Sequence, residues 1–186
     1  RFHQFSSDSK QPFFGTFHSF CLNFLKRTQY LDQIGITKNF TIIDQRQRKD
    51  AIQTLIKSGN TMADSANDLS SYISAIKQVP LSDQGALLSE HSPTFQDFFH
   101  AYNRHLIKIN GVDFDDLILH AFTIISTNDD EQLQLAQRYQ YIIVDEYQDT
   151  NQIQNDLSIL LAKHHQNICV VGDFDQTIYS WRGAKV

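Results

Sequence analysis

The chain has 186 residues, 41% hydrophobic and 20% charged, which excludes a disordered segment and suits one domain, or one domain with a small insert. The net charge of -5 argues by itself against a nucleic-acid binder, and no apolar run reaches the roughly 18 residues of a membrane helix. The charge is uneven, however: residues 1–60 hold 9 Lys+Arg against 4 Asp+Glu, and residues 61–186 hold 7 against 17, so one end suits phosphates and the other a cation.

The N-terminus, RFHQFSSDSK, has no apolar stretch of a signal peptide and begins at Arg1; the expectation is a piece of something longer. Phe17, Phe20, Cys21, Phe24 and Leu25 recur at helical spacing and predict an amphipathic helix over 17–31. A loop with Gly35 follows, then a short apolar run, 40–43, read as a strand. Asp44 caps a helix to about Lys57, which Gly59-Asn60 ends. Leu69, Tyr72, Ile73 and Ile76 mark another helix, stopped before Pro80. Ser92-Pro93 starts a helix whose stripe is Phe95, Phe98, Phe99, Tyr102, Leu106 and Ile109, broken at Gly111. Asp113 caps the next, with Phe114, Leu117, Ile118, Ala121, Phe122 and Ile125 inward. Aromatic stripes at this spacing read as core. Cys21 and Cys169 sit among apolar neighbours without a Cys or His cluster, so they read as buried, reduced thiols in a cytoplasmic protein.

The character changes after residue 138. YIIVD (141–145) and ICVVGD (168–173) are unbroken apolar runs ending in acid, and a helix over 153–163 lies between them. Strand, helix, strand, apolar on both strand faces, predicts a βαβ unit of a buried parallel sheet. The middle is thus expected to be helical and the C-terminal third α/β, with no internal repeat.

Ligands of parallel sheets bind at the carboxyl ends of the strands. Both strands here end in acid, Asp145-Glu146 and Asp173. A strand ending in Asp-Glu meets the needs of a Walker B site: the Asp orders Mg²⁺, and the Glu polarises the water that attacks a γ-phosphate. An apolar run ending in DE is a weak signal alone; its continuation carries more.

DEYQDTN (145–151) and GDFDQTIYSWRGA (172–184) resemble motifs II and III of the UvrD/Rep/PcrA group of superfamily 1 DNA helicases, with Tyr147 where Phe is common and Thr177 for Ser. GTFHSF (15–20) resembles the family's TFH motif, and VDFDDLI (112–118) the segment where the chain returns from a helical insert. The four strings follow family order and span 15–184.

The resemblance implies an α/β fold: a partial RecA-like (P-loop NTPase) parallel sheet with an inserted α-helical subdomain. The first motor part would cover 1–39, the insert 40–110, and the second motor part 111–186. It implies ATP and Mg²⁺ as cofactors. Asp145, with Glu146 beside it, would hold the metal, and Glu146 would be the general base. Gln176 would sense the γ-phosphate, and Arg182 would link the DNA side to the nucleotide. Thr16 and His18 would touch the DNA backbone, while Tyr179 and Trp181 would meet the single strand, Trp181 by sequence-tolerant stacking. Gln148 and Asp149 read as orienting groups. The partners implied are single-stranded DNA and single-strand/duplex junctions, with repair or replication proteins, and the expected direction is 3′ to 5′.

One family feature is absent. None of the seven glycines is followed by Lys, so the chain contains no GxxxxGK[ST] phosphate loop. The 186 residues alone are therefore expected to be inactive as an ATPase. Two rival readings fit parts of the sequence. VVGDFDQT (170–177) fits the nucleophile motif of haloacid-dehalogenase-type phosphatases, but only nine residues follow Thr177, too few for the rest of that site. A non-catalytic helicase-like DNA- or protein-binding module would have no use for the set Asp145, Glu146 and Gln176.

Overall fold

The computed structural model describes residues 12–59 and 65–173. These form a mixed α/β arrangement, mostly helical, with two small parallel sheets. In chain order the elements are α1 (Phe17–Leu25), β1 (Thr41–Ile43), α2 (Gln45–Lys57), α3 (Ala66–Lys77), α4 (Leu81–Ser89), α5 (Pro93–Lys108), β2 (Gly111–Asp113), α6 (Phe114–Thr127), α7 (Asp129–Arg138), β3 (Ile142–Val144), α8 (Gln152–Ala162) and β4 (Ile168–Val170). Short 3-10 turns cover Leu31–Ile34 and Tyr147–Asp149.

Capping chemistry sets most helix starts. Asp44, Asp113 and Asn151 each make a reciprocal capping box, with Gln47, Asp116 and Gln154. Ser92 accepts the Phe95 N–H, and Pro93 occupies the first turn. α1 is shorter than the apolar spacing predicts. It stops at Leu25: the Lys26 N–H still reaches the Leu22 carbonyl, but the Arg27 and Thr28 N–H groups both turn onto the Phe24 carbonyl.

The buried side chains fall into two clusters. One joins α1, α6 and α8 around Cys21, Leu25, Leu117, Ile124 and Leu157. The other joins α2, α3 and α5 around Ile52, Leu69, Ile73, Phe98 and Tyr102. Most of the expected stripes lie in these cores, but Phe114, Ile109 and Tyr72 are exposed.

β1 and β2 pair in register Thr41↔Gly111 to Ile43↔Asp113, closing the chain across α2–α5. β3 and β4 pair in register Ile142↔Ile168 to Val144↔Val170. This second sheet corrects an expectation, because it is not buried on both faces. Val144 is covered and α8 packs on β3, yet Ile143 is 74% exposed on the other side. Cys169, its register partner, is exposed too, unlike buried Cys21.

At the junction of the two cores lies a buried ionic cluster. Lys77 Nζ sits 3.0 Å from Asp113 Oδ2 and 2.7 Å from Asp116 Oδ1. Arg48 lies 2.7 Å from Asp115 Oδ2 and donates to the Ser70 carbonyl at 2.9 Å. Ser74 donates to the same Asp115 oxygen, and the Tyr102 hydroxyl donates to Asp113. The DFDD run of 113–116 thus anchors α2 and α3 to the start of α6. No helix among the described residues is long and apolar enough to cross a membrane.

Candidate functional site

The acidic pair stands where a parallel sheet presents its ligands. Asp145 and Glu146 directly follow β3, and both side chains are exposed. The β3 and β4 ends are stitched together beyond the strands: Val171 N–H donates to the Val144 carbonyl at 2.8 Å, and Tyr147 N–H to the Val171 carbonyl at 2.9 Å. The turn therefore brings residues 145–149 against 171–173.

Glu146 adopts a left-handed backbone, φ 52 and ψ 43. That conformation is costly for a residue with a Cβ, by about 1–3 kcal/mol, and it persists only where neighbours enforce it. Several do. The Glu146 N–H donates to Asp145 Oδ1 at 3.0 Å, and the Asp149 N–H returns to the Glu146 carbonyl at 2.9 Å. Thr150 closes the turn through its hydroxyl on the Tyr147 carbonyl, 2.7 Å. The Tyr147 hydroxyl donates to Asn155 on α8, which pins the turn to the helix.

Gln148 is buried at the centre of the turn, 4% exposed. Its Nε2 donates to Glu146 Oε2 at 2.7 Å, and its Oε1 accepts the Asp173 N–H at 3.0 Å. Gly172 makes this approach feasible: a Cβ there would lie 2.6 Å from Gln148 Oε1 and 3.3 Å from the Tyr147 nitrogen. Asp149 presents a buried Oδ1 that no donor among the described residues reaches. The donor set at the strand end consists of exposed carboxylate oxygens, that of Glu146 tied to the Gln148 amide. That chemistry fits a hard cation such as Mg²⁺, with Asp145 and Glu146 as the groups that would hold it, directly or through water.

Thr16 and His18 stand on a different element, the first turn of α1. The Thr16 hydroxyl caps that helix, accepting the Ser19 N–H at 3.2 Å, and Thr16 is exposed. The His18 ring packs edge-on against Phe114 of α6, centroids 5.9 Å apart. Burial lowers the His18 pKa, while Asp115 works in the opposite direction. Gln176, Tyr179, Trp181 and Arg182 lie outside the described residues.

The structure thus brings together Asp145, Glu146, Gln148 and the Gly172-Asp173 backbone. Sequence reasoning reached the first three. It missed the part played by Gly172 and Asn155, although Gly-Asp straight after an apolar strand was the available signal for the glycine.

Comparison with known proteins gives this geometry a family. Residues 3–186 match the model of the UvrD/REP helicase N-terminal domain. The chain is 37% identical over 191 residues to the ATP-dependent DNA helicase PcrA of Staphylococcus epidermidis, covering 99% of this chain and 26% of that protein. It is 39% identical over 178 residues to the ATP-dependent DNA helicase PcrA of Staphylococcus aureus, covering 92% of this chain and 24% of that protein. The chain therefore spans about a quarter of the length of these curated relatives. With a family model matched over nearly every residue, the chain belongs to the UvrD/REP helicase family.

Proposed function

We propose that this chain is part of the motor of an ATP-dependent DNA helicase that moves on single-stranded DNA in the cytoplasm, 3′ to 5′. The observation that carries the reading is the Asp145-Glu146 pair at the carboxyl end of β3, fixed by the β4 end beside it in a member of this family. Phosphoryl transfer depends on positioning and charge stabilisation more than on covalent chemistry by the protein. A strand end whose turn is hydrogen-bonded on both sides supplies that positioning.

In this reading Asp145 orders Mg²⁺, and Glu146 accepts the proton of the attacking water. Gln176 senses the γ-phosphate, and Arg182 connects that site to the strand. Bound Mg²⁺ supplies neutralisation of the developing phosphate charge. Thr16, His18, Tyr179 and Trp181 face the DNA, and strand/duplex junctions are the substrates. The domain reading places a helical insert at 40–110 within a RecA-like motor. The separate core of α2, α3 and α5 supports it, as does the closure of that segment by β1 on β2. Because the 186 residues contain no GxxxxGK[ST], they alone hydrolyse no ATP in this reading.

The test is ATP hydrolysis by a full-length protein carrying this segment, with and without oligo-dT. Wild type should be stimulated by the single strand. Glu146→Gln should lower kcat by about 10²–10⁴-fold, the usual range for removing a general base. A wild type with no ATPase at all would instead make this a helicase-shaped binding module.

A further inference from the structure

We infer that Gln148 is a positioning residue: its side-chain amide ties the Glu146 carboxylate to the backbone of Asp173, so that the aim of Glu146 depends on the position of the β4 end. This rests on the motor reading above.

Three observations carry it. The amide is buried, and both of its ends are engaged, 2.7 Å to Glu146 Oε2 and 3.0 Å from the Asp173 nitrogen. The chemistry is specific, because one side must donate and the other accept. A carboxamide does both, a carboxylate can only accept, and an apolar side chain does neither. The bond to Glu146 is made to a carboxylate, the charge-assisted kind that orients strongly. Finally, the space is shaped for it, since any side chain at 172 would collide with Gln148 Oε1.

The geometry gives the bridge a direction of action. Asp173 is followed in sequence by the segment that holds Gln176, Tyr179 and Trp181. A shift of the Asp173 N–H by a fraction of a hydrogen-bond length would tilt the amide and move Glu146 Oε2 with it. Movement of the Asp173 backbone would thereby be felt at the Glu146 carboxylate through the Gln148 amide.

The experiment compares wild type, Glu146→Gln, Gln148→Met and Gln148→Glu in a full-length protein carrying this segment, with Mg-ATP and oligo-dT. Gln148→Met keeps the length and loses both bonds. Its kcat should fall by about 10–100-fold, the usual cost of losing an orienting partner. Its KM for ATP should stay within about twofold, because the bridge does not serve binding. Gln148→Glu places a second carboxylate against Glu146 and should move the acidic limb of the kcat–pH profile to higher pH. Without nucleotide, amide exchange over 171–173, followed by mass spectrometry, should speed up in Gln148→Met. Should that variant fail to fold, Gln148→Asn, one methylene too short to span both partners, carries the same expectations.

Wild-type-like kcat and unchanged exchange at 171–173 would overturn the bridge while leaving the motor reading intact. A wild type without ATPase would overturn the motor reading, and exchange at Asp173 would still decide whether the bridge exists. A fall in kcat matched by an equal rise in KM would also overturn it, by showing a binding role.

Discussion

Two carboxylates, Asp113 and Asp116, share the single ammonium of Lys77 in the buried cluster. They do not share it equally. Burial opposes charge on Asp113, but Lys77 and Arg48 outweigh it and hold this carboxyl well below its usual range. Asp116 is pushed the other way, to about 7: burial raises it most, and the charge of Asp113 adds to that. His120 Nε2 lies 4.0 Å from Asp116, and burial lowers its pKa to about 4, with Lys77 adding to the effect. The signs oppose each other. The stability linked to His120, whose folded pKa is depressed, is complete above about pH 6.5 and is lost as pH falls toward 4. The stability linked to Asp116, whose folded pKa is raised, is complete below about pH 4 and is lost as pH rises through 7. Between those limits the two slopes cancel. We therefore expect each single replacement to expose the other group's slope. Asp116→Asn should make the 186-residue chain lose stability on acidification from pH 6.5 to 4, relative to wild type. His120→Gln should make it lose stability on going from pH 4 to 7. Urea midpoints across this range check it, and parallel profiles for all three proteins would refute it.

At the scale of elements, the cluster explains how α3 is fastened to α6. Lys77 closes α3 and is 1% exposed, and Asp113 and Asp116 open α6. Removing one partner of a buried pair leaves charge without compensation, at a cost of about 3–5 kcal/mol. Lys77→Met should therefore destabilise the chain by about that much in urea at pH 7, while Lys49→Met on the exposed face of α2 stays within about 0.5 kcal/mol. Equal effects would mean that the fastening lies elsewhere. None of this was legible in sequence. Arg48 and Lys77 look like ordinary solvated charges, and their carboxylate partners lie 36 to 67 residues away. What was legible was local: the caps Asp44, Ser92 and Asp113, the strands β3 and β4, and the acidic pair after β3. Those signals are carried by neighbouring residues, and they survive folding unchanged. α4 and α7 were missed because LSDQGALLS contains a glycine and DDEQLQLAQR has too few apolar residues to draw a stripe. Their place is set by what they pack against.

At the scale of the whole molecule, the βαβ unit has one face covered in part, around Val144, where Ile168 and Val170 of β4 still show, and one open face. Strand alternation puts Tyr141 and Ile143 of the β3 run on the same side as Cys169 and Val171 of the β4 run. Tyr141 is 76% exposed, Ile143 74% and Val171 52%, whereas Val144, on the opposite side, is buried. Four adjacent side chains of this kind, on a sheet with a free edge among the described residues, form the sort of apolar patch that soluble monomers seldom leave bare. Expecting a sheet apolar on both faces was sound as a reading of composition; the described residues cover only part of one face. The consequence is testable in the isolated chain. Under reducing conditions, which remove any contribution from the exposed Cys169 thiol, its sedimentation coefficient should rise with concentration. Ile143→Lys should abolish that rise. Its stability cost should stay within about 0.5 kcal/mol, because an exposed side chain loses little contact when replaced. If Ile143→Lys associates as strongly as wild type, the open sheet face is not the adhesive surface.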